Sequence, residues 1–317
     1  MTELKKISSS PHVRQEDSTA SIMLDVVIAL LPASIMGVYN FGISAFLLIV
    51  ICMASCVASE WAFEYFSKRK ITISDFSAVV TGILLALNLP PSLPWWMAVL
   101  GSVFAIIVVK QLFGGIGQNF MNPALAARCF LLLSFTMSMT NFTYDAVTTA
   151  TPLAMLKAGE SVDLLRMFMG STAGTIGETS TAALLIGGAY LLFKRVIDIR
   201  IPLSYIGTFG ICILIYALAS GRGWDWSFVA AHLCGGGLML GAIFMATDYV
   251  TSPITAKGRW IYGVLLGGLT FVLRSPWNSG TAAEGVSYAI LCGNLLVPII
   301  ERFTAPKCFG KGAVKHE

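Results

Sequence analysis

Residues 41–64 read FGISAFLLIVICMASCVASEWAFE, and how this run is read decides the fold. It is apolar over more than the ~20 residues a helix needs to cross a bilayer. Nine further runs accompany it, near 22–38, 74–89, 94–113, 121–137, 179–194, 201–220, 226–247, 259–274 and 284–301. The 317 residues are 56% hydrophobic and only 12% charged, whereas soluble domains are about 25% charged. The expected class is an all-α polytopic membrane protein with about ten transmembrane helices. A net charge of +4 does not point to nucleic acid, because the positive residues sit in loops between apolar runs. There they read as topology signals.

Counting basic residues loop by loop orients the chain. One set of loops collects Lys5, Lys6, Arg14, Lys68, Arg69, Lys70, Lys110, Lys194, Arg195, Arg200, Lys257, Arg259, Arg302, Lys307, Lys311 and Lys315. The other holds Lys157, Arg166, Arg222 and Arg274. Sixteen against four predicts cytoplasmic N- and C-termini. Trp95, Trp96, Trp224, Trp226 and Trp277 fall at outer helix ends, as an aromatic belt does. Residues 1–20 are polar and lack the apolar core of a signal peptide.

The expected organisation is a cytoplasmic segment 1–20, five helices over 21–137, an outer loop 138–178, five helices over 179–301 and a tail 302–317. Five is odd, so a duplicated second half would enter the membrane inverted. Gly82-Ile83-Leu84-Leu85 before Pro90, and Gly241-Ala242-Ile243-Phe244 before Pro253, fit such a duplication. The seven cysteines form no CxxC pair. Cys52 and Cys56, one helical turn apart, read as small buried apolar side chains rather than metal ligands.

Three polar stretches require reasons. Gly114 to Pro123 is either a tight turn whose proline starts the next helix or a broken-helix hinge lining a cofactor or ion path. Gly170 to Ser180 combines small residues with hydroxyls. Thr175 and Glu178 have capping-box spacing there, and the run also suits close approach of a flavin. Asp248, at the end of the eighth run, is expected to pair with Lys257 or Arg259 rather than bind a cation. Asp25 and Glu284 are expected to be solvated or paired helix-end groups, and His12 and His232 receive no metal role.

In the longest polar interval lies Asp145-Ala146-Val147-Thr148-Thr149-Ala150-Thr151-Pro152-Leu153. It resembles the flavinylation signature Asp-x-x-(Ser/Thr)-Gly-Ala-Thr, with Asp145, Thr148, Ala150 and Thr151 matching. Thr149 replaces the usual glycine, whose backbone freedom a β-branched residue lacks. With Ser10 to Arg14, Gly114 to Arg128, Thr151 to Ala154, Gly170 to Ser180, Asp248 to Gly258 and Glu284 to Tyr288, nearly the whole chain resembles one family. It is the RnfD family, from the Rnf complex, the ion-translocating ferredoxin:NAD oxidoreductase. That family is related to NqrB of the Na⁺-translocating NADH:quinone oxidoreductase.

The resemblance implies FMN held on Thr151 by a phosphoester. Asp145, Thr148, Ala150, Ser171, Thr172, Gly174, Thr175, Gly177, Glu178 and Thr179 then become the expected flavin-site residues. It implies electron relay through that flavin, coupled to Na⁺ or H⁺ translocation, in a translocase to which this chain is one non-catalytic contributor. Implied partners are a second flavin subunit, iron–sulfur subunits, membrane lipid and a flavin transferase; riboflavin is a second cofactor the resemblance allows. No GxGxxG fingerprint joins a strand to a helix, so NAD is expected to bind elsewhere. The alternative is a channel or secondary transporter of inverted-repeat type with no redox role.

Overall fold

The computed structural model describes residues 18–144, 147–148, 151–157, 162–221, 223–274 and 285–306. Helix α1 (Thr19–Phe41) begins where the Ser18 hydroxyl accepts a hydrogen bond from the Ser21 amide. It turns at Gly42, whose φ of +68° is left-handed, into α2 (Ile43–Phe66). Next comes α3 (Ser77–Leu87), then α4 (Trp95–Val103), which runs directly into a π-helical stretch, Phe104–Gln111. Helix α5 (Pro123–Ser134) starts with proline at its first turn and Asn122 as cap, and α6 (Thr136–Met139) follows.

The connecting region contains a minimal hairpin, β1 (Thr143–Tyr144) with β2 (Val147–Thr148), and short helices α7 (Pro152–Lys157) and α8 (Leu164–Met169). The remaining helices are α9 (Thr181–Phe193), α10 (Arg200–Ala219), α11 (Trp226–Cys234), α12 (Leu238–Leu240), α13 (Ala256–Arg274) and α14 (Gly285–Thr304). Helix α12 passes into a second π-helical stretch, Gly241–Met245. The chain is an all-α polytopic membrane protein apart from the hairpin.

Each expected apolar run falls on a helix, but not every helix crosses a bilayer unaided. Four are long and apolar enough by themselves: α1, α2, α10 and α14. Helix α11 with Leu238–Met245 makes a fifth if a 62° bend is allowed within one span. The runs near 74–89, 121–137 and 179–194 are helices of 11, 12 and 13 residues. At ~1.5 Å per residue these reach only about 20 Å, short of the ~30 Å hydrocarbon thickness. The end of α3 and the starts of α5 and α9 are buried within the bundle, where non-helical segments adjoin them.

Interior packing explains the glycines of α9. A Cβ on Gly187 would overlap the Ala29 carbonyl of α1, so only glycine permits this close helix contact. One buried cluster, including Leu30, Leu85, Leu125, Leu131, Tyr205, Phe209, Tyr262 and Leu266, joins both halves. Its phenols are satisfied: Tyr205 Oη lies 2.6 Å from Thr270 Oγ1, and Tyr262 Oη lies 2.6 Å from the Asn294 amide. Cys52 and Cys56 are fully buried, as small apolar side chains are.

The bundle has two ends. The start of α1, the α2–α3 turn, residues 194–199, the start of α13 and the end of α14 gather at one, here the terminal face. Contacts Tyr249 Oη–Val196 O and Ile254 N–Glu301 Oε1 (3.0 Å) tie it together. The other, the loop face, carries α6, the hairpin, α7 and α8, and is tied by Ser92 Oγ–Asn141 O (2.8 Å) and Asn40 Nδ2–Gly170 O (2.8 Å).

Candidate functional site

The Gly170–Ser180 run enters the loop face from α8, which Gly170 terminates at φ +111°. It then folds between α1 and α9. Asn40 of α1 donates to the Gly170 carbonyl (2.8 Å) and to Thr179 Oγ1 (3.3 Å). The Ile176 and Gly177 amides donate to the Leu89 and Leu87 carbonyls, at 3.1 and 2.8 Å, so the run is stitched to the end of α3. A Cβ on Gly177 would stand 2.6 Å from Leu87 Cβ, which explains the glycine. The expected capping box is corrected here. Ser180 caps α9 by accepting from the Ala183 amide (3.2 Å), while Thr175 Oγ1 donates to Glu178 Oε2 (3.1 Å) in the loop before it.

Thr151 stands at the start of α7, half-buried, with Oγ1 accepting from the Ala154 amide at 3.4 Å. Its neighbour Pro152 meets Thr172, Gly174, Glu178, Thr179, Gly235 and Gly236 around a single small pocket. Of the expected flavin residues, the structure thus collects Thr172, Gly174, Glu178 and Thr179 around Pro152, the residue that follows Thr151. Gly177 faces α3 instead, Thr175 is buried beside Glu178, and Ser171 is exposed. Asp145 and Ala150 lie outside the described residues, and Thr148 is described only as backbone of β2.

The pocket measures about 10 Å³, room for one water molecule and not for a tricyclic ring. A flavin held at Thr151 would therefore have its ring outside this pocket. Behind the Gly235–Gly236 wall lies Arg274, 1% exposed, its Nη2 donating to the Gly235 carbonyl and its guanidinium 5.5 Å over the Phe209 ring. Nε and Nη1 have no partner among the described residues. Counted as a loop charge from sequence, Arg274 instead turns inward.

A second polar site opens from the terminal face. A cavity of about 100 Å³ is bounded by Ser77, Thr81, Leu84, Lys110, Asn119, Asn122, Phe244, Thr247 and Asp248. Lys110 Nζ forms a buried ion pair with Glu60 Oε1 (2.7 Å) and donates to Ser77 Oγ (2.6 Å). Gln111 Nε2 also donates to Glu60 Oε1 (2.7 Å), and Glu64 accepts from the Thr72 amide and hydroxyl. The π-helical stretch brings Lys110 and Gln111 into this register, and such stretches recur at functional positions. Asp248 accepts from Thr251 Oγ1 at 3.2 Å. The expected pairing of Asp248 with Lys257 or Arg259 is not formed among the described residues: Arg259 Nη1 reaches Asp198 Oδ2 at 2.5 Å, and no ion pair joins Lys257 to Asp248. Asp25 is paired, accepting from Tyr190 Oη (2.6 Å) with Lys194 Nζ 3.8 Å away. Glu284 and His12 lie outside the described residues.

Three functional candidates escaped the sequence reading: the Glu60–Lys110 pair, Arg128 and Arg274. A signal existed for two of them. Glu60 and Arg128 sit within apolar runs, where a charge demands a partner or a purpose. Nothing in the sequence marks Arg274, at a helix end, as buried.

Comparison with known proteins adds the lineage. The model of the NQR2, RnfD, RnfE family matches residues 6–310. A protein of Acetobacterium woodii, named as the D subunit of the Na⁺-translocating ferredoxin:NAD⁺ oxidoreductase complex, is 51% identical, covering 100% of this chain and 99% of that one. The Clostridium ljungdahlii protein named as the D subunit of the proton-translocating ferredoxin:NAD⁺ oxidoreductase complex is 42% identical, covering 96% of each chain. A Stutzerimonas stutzeri protein, named as the D subunit of an ion-translocating oxidoreductase complex, is 40% identical over 93% of each. Matched over almost its entire length by the family model and by relatives above the identity at which folds diverge, this chain belongs to the NQR2, RnfD, RnfE family.

Proposed function

We propose that this chain is the RnfD component of an ion-translocating ferredoxin:NAD oxidoreductase complex, relaying electrons through FMN esterified to Thr151 while the complex moves Na⁺ or H⁺. The observation that carries the reading is the pocket where Pro152, next in the chain to Thr151, meets Thr172, Gly174, Glu178 and Thr179, with Gly235 and Gly236 also lining it: three separated sequence stretches converge there. Bound there, FMN would pass electrons singly or in pairs, chemistry that belongs to the cofactor. The chain's own residues would do the placing. Thr151 supplies the hydroxyl and the start of α7. Thr172 and Thr179 line the pocket beside Pro152, and the Gly235–Gly236 wall would let a flat ring come close. The permanent bond prevents dissociation, which suits a relay that keeps its carrier.

The positive-inside count assigns the terminal face to the cytoplasm and the loop face, with Thr151, to the outside. Ten spans in an inverted five-plus-five arrangement fit the packing. Helix α2 lies on α4 as α10 lies on α13, while α1 meets α9 and α5 meets α14 across the halves. Redox change at the flavin would bias the helix arrangement and so gate the ion, a two-state coupling that needs both states to be populated. Other Rnf-type subunits, among them flavin and iron–sulfur subunits, would supply and remove electrons, and a flavin transferase would load Thr151. A cofactor-free transporter remains the competing reading, favoured by the helices that end within the bundle.

The deciding measurement is the mass of the tryptic peptide 129–157 from complex purified from its native membrane. The reading expects the peptide to carry the mass of FMN less one water, lost in Thr151→Ala. An unmodified peptide from an active complex removes the relay role.

A further inference from the structure

We propose that Arg128 is the charge barrier that keeps ion passage through this protein closed. Three observations converge on it. Its side chain is buried at 5% exposure on α5, and Nη1 donates to Asn88 Oδ1 (2.9 Å) and Ser287 Oγ (3.1 Å), themselves 3% and 2% exposed. Both partners are neutral. Among the described residues no carboxylate lies within ion-pair distance of Arg128. A buried cation with no carboxylate beside it among the described residues is expensive in a membrane bundle, and such a charge points to a function rather than to stability.

Its position supplies the function. The terminal-face cavity ends at Leu84, Asn122 and Phe244. The next layer contains Asn88, whose Nδ2 donates to the Leu84 carbonyl (2.6 Å) and lies 3.7 Å from Met245 Sδ. Asn122 reaches the Met245 carbonyl (3.4 Å), closing the same layer from α5. Arg128 crosses behind it, joining the end of α3 to the first turn of α14. Beyond stands the Gly170–Ser180 run, hydrogen-bonded to Leu87 and Leu89 on either side of Asn88. Asn88 and Arg128 therefore stand between the Leu84 end of the cavity and the Gly170–Ser180 run, and a fixed positive charge lies there.

A cation entering the cavity meets like charge in a poorly screened interior, the device by which pores exclude protons and cations. The carbonyl end of α3 supplies only a partial counter-charge to the guanidinium. Breaking the Asn88 and Ser287 bonds is what a cation would require before it passed. The inference rests on the complex being a cation pump, but not on the flavin at Thr151.

The test uses the intact complex in proteoliposomes, without ferredoxin or NAD, following ²²Na⁺ efflux and collapse of an imposed proton gradient. Arg128→Gln keeps a hydrogen-bonding side chain and removes the charge; passive leak of one cation should rise on the order of tenfold or more. Arg128→Lys should stay sealed. Asn88→Asp pairs the guanidinium in place and should leak as well, and it reads out the barrier if Arg128→Gln fails to assemble. Each variant is compared at equal subunit stoichiometry, and electron transfer in detergent should remain within about twofold of the parent, separating this failure from loss of the Thr151 flavin. Assembled Arg128→Gln liposomes as tight as the parent, or tight Asn88→Asp liposomes where the first variant does not assemble, overturn the proposal.

Discussion

Replacing Lys110 with methionine isolates what a buried ion pair does in this bundle. The ammonium lies 2.7 Å from Glu60 Oε1, with the two side chains 4% and 1% exposed. At an effective dielectric near 20 the attraction is several kcal/mol, and desolvation of both ions cancels most of it. The intact pair is therefore near neutral against a well-packed apolar pair, while removing one member strands the other. Lys110→Met leaves Glu60 with the Gln111 donor at 2.7 Å, and its Oε2 already lacks a partner among the described residues. The expected loss is ~3 kcal/mol, toward the lower end of the range for broken buried pairs because Gln111 persists. Glu60→Leu leaves the ammonium with Ser77 Oγ alone and should lose ~4 kcal/mol. The double variant should return to within ~1 kcal/mol of the parent, a coupling of ~6 kcal/mol. Unfolding in mixed micelles with increasing detergent charge, followed by a thiol dye, suits this chain because Cys52, Cys56 and Cys129 are buried when it is folded. If either single variant loses under ~1 kcal/mol, or the double loses the sum of the two, the pair is not desolvated as described.

Two further outcomes follow from the same geometry. Burial works to raise the Asp198 carboxyl, but the Arg200 amide and the Arg259 and Arg200 guanidiniums outweigh it and hold the group below the usual carboxylate range. A depressed folded value means the Asp198–Arg259 tie is present in full above the ordinary aspartate range and is lost as pH falls through the lowered one, so melting temperature against pH should flatten below about pH 4 in Asp198→Asn. Gly236→Ala forces a side chain into φ +68° and against the Arg274 guanidinium, so it should destabilise by at least ~1–2 kcal/mol and lower flavin retention, read from in-gel fluorescence after denaturation.

How far the sequence went depends on what kind of physics each feature obeys. Apolar runs located every major helix, because hydrocarbon tolerates little else and the pattern is local. Their lengths were overread where a run includes residues beyond the helix. The run near 74–89 continues past Leu87, yet α3 stops at Asn88 ahead of Pro90 and Pro91, and the carbonyls of Leu87 and Leu89 accept from the distant Gly170–Ser180 run. The prolines mark that stop in the sequence, whereas the partners of the freed carbonyls are non-local and leave no mark in the run itself. The Thr151 corner was legible as a motif, and so was the hydroxyl-rich run opposite it. The glycines at 235 and 236, which complete the pocket, belong to a span read simply as apolar. Charge was misread wherever it was counted without burial: Lys110 and Arg274 entered a loop tally, although one is paired inside and the other lies behind a glycine wall.

Helices that end inside the bundle also show why the polar residues sit where they do. A helix that stops in hydrocarbon leaves carbonyls or amides unpaired, each costing several kcal/mol. Here the interior ends are met by donors or acceptors from elsewhere. The Ile176 and Gly177 amides donate to the carbonyls around the end of α3, Asn122 caps the start of α5, and Asn122 Nδ2 reaches the Met245 carbonyl where the second π-helical stretch finishes. These bonds place Leu87, Asn88 and Leu89 in one short segment whose two flanks are held by the loop-face run and whose middle holds Arg128. Movement of the Gly170–Ser180 run would therefore bear on the segment that holds Asn88. A displacement of the loop face by a fraction of an ångström is enough to lengthen the 2.9 Å Arg128–Asn88 bond beyond a useful hydrogen bond. Packed interiors respond to such changes by switching arrangement rather than by stretching, so the short α3 helix is the element through which events at one face would reach the barrier.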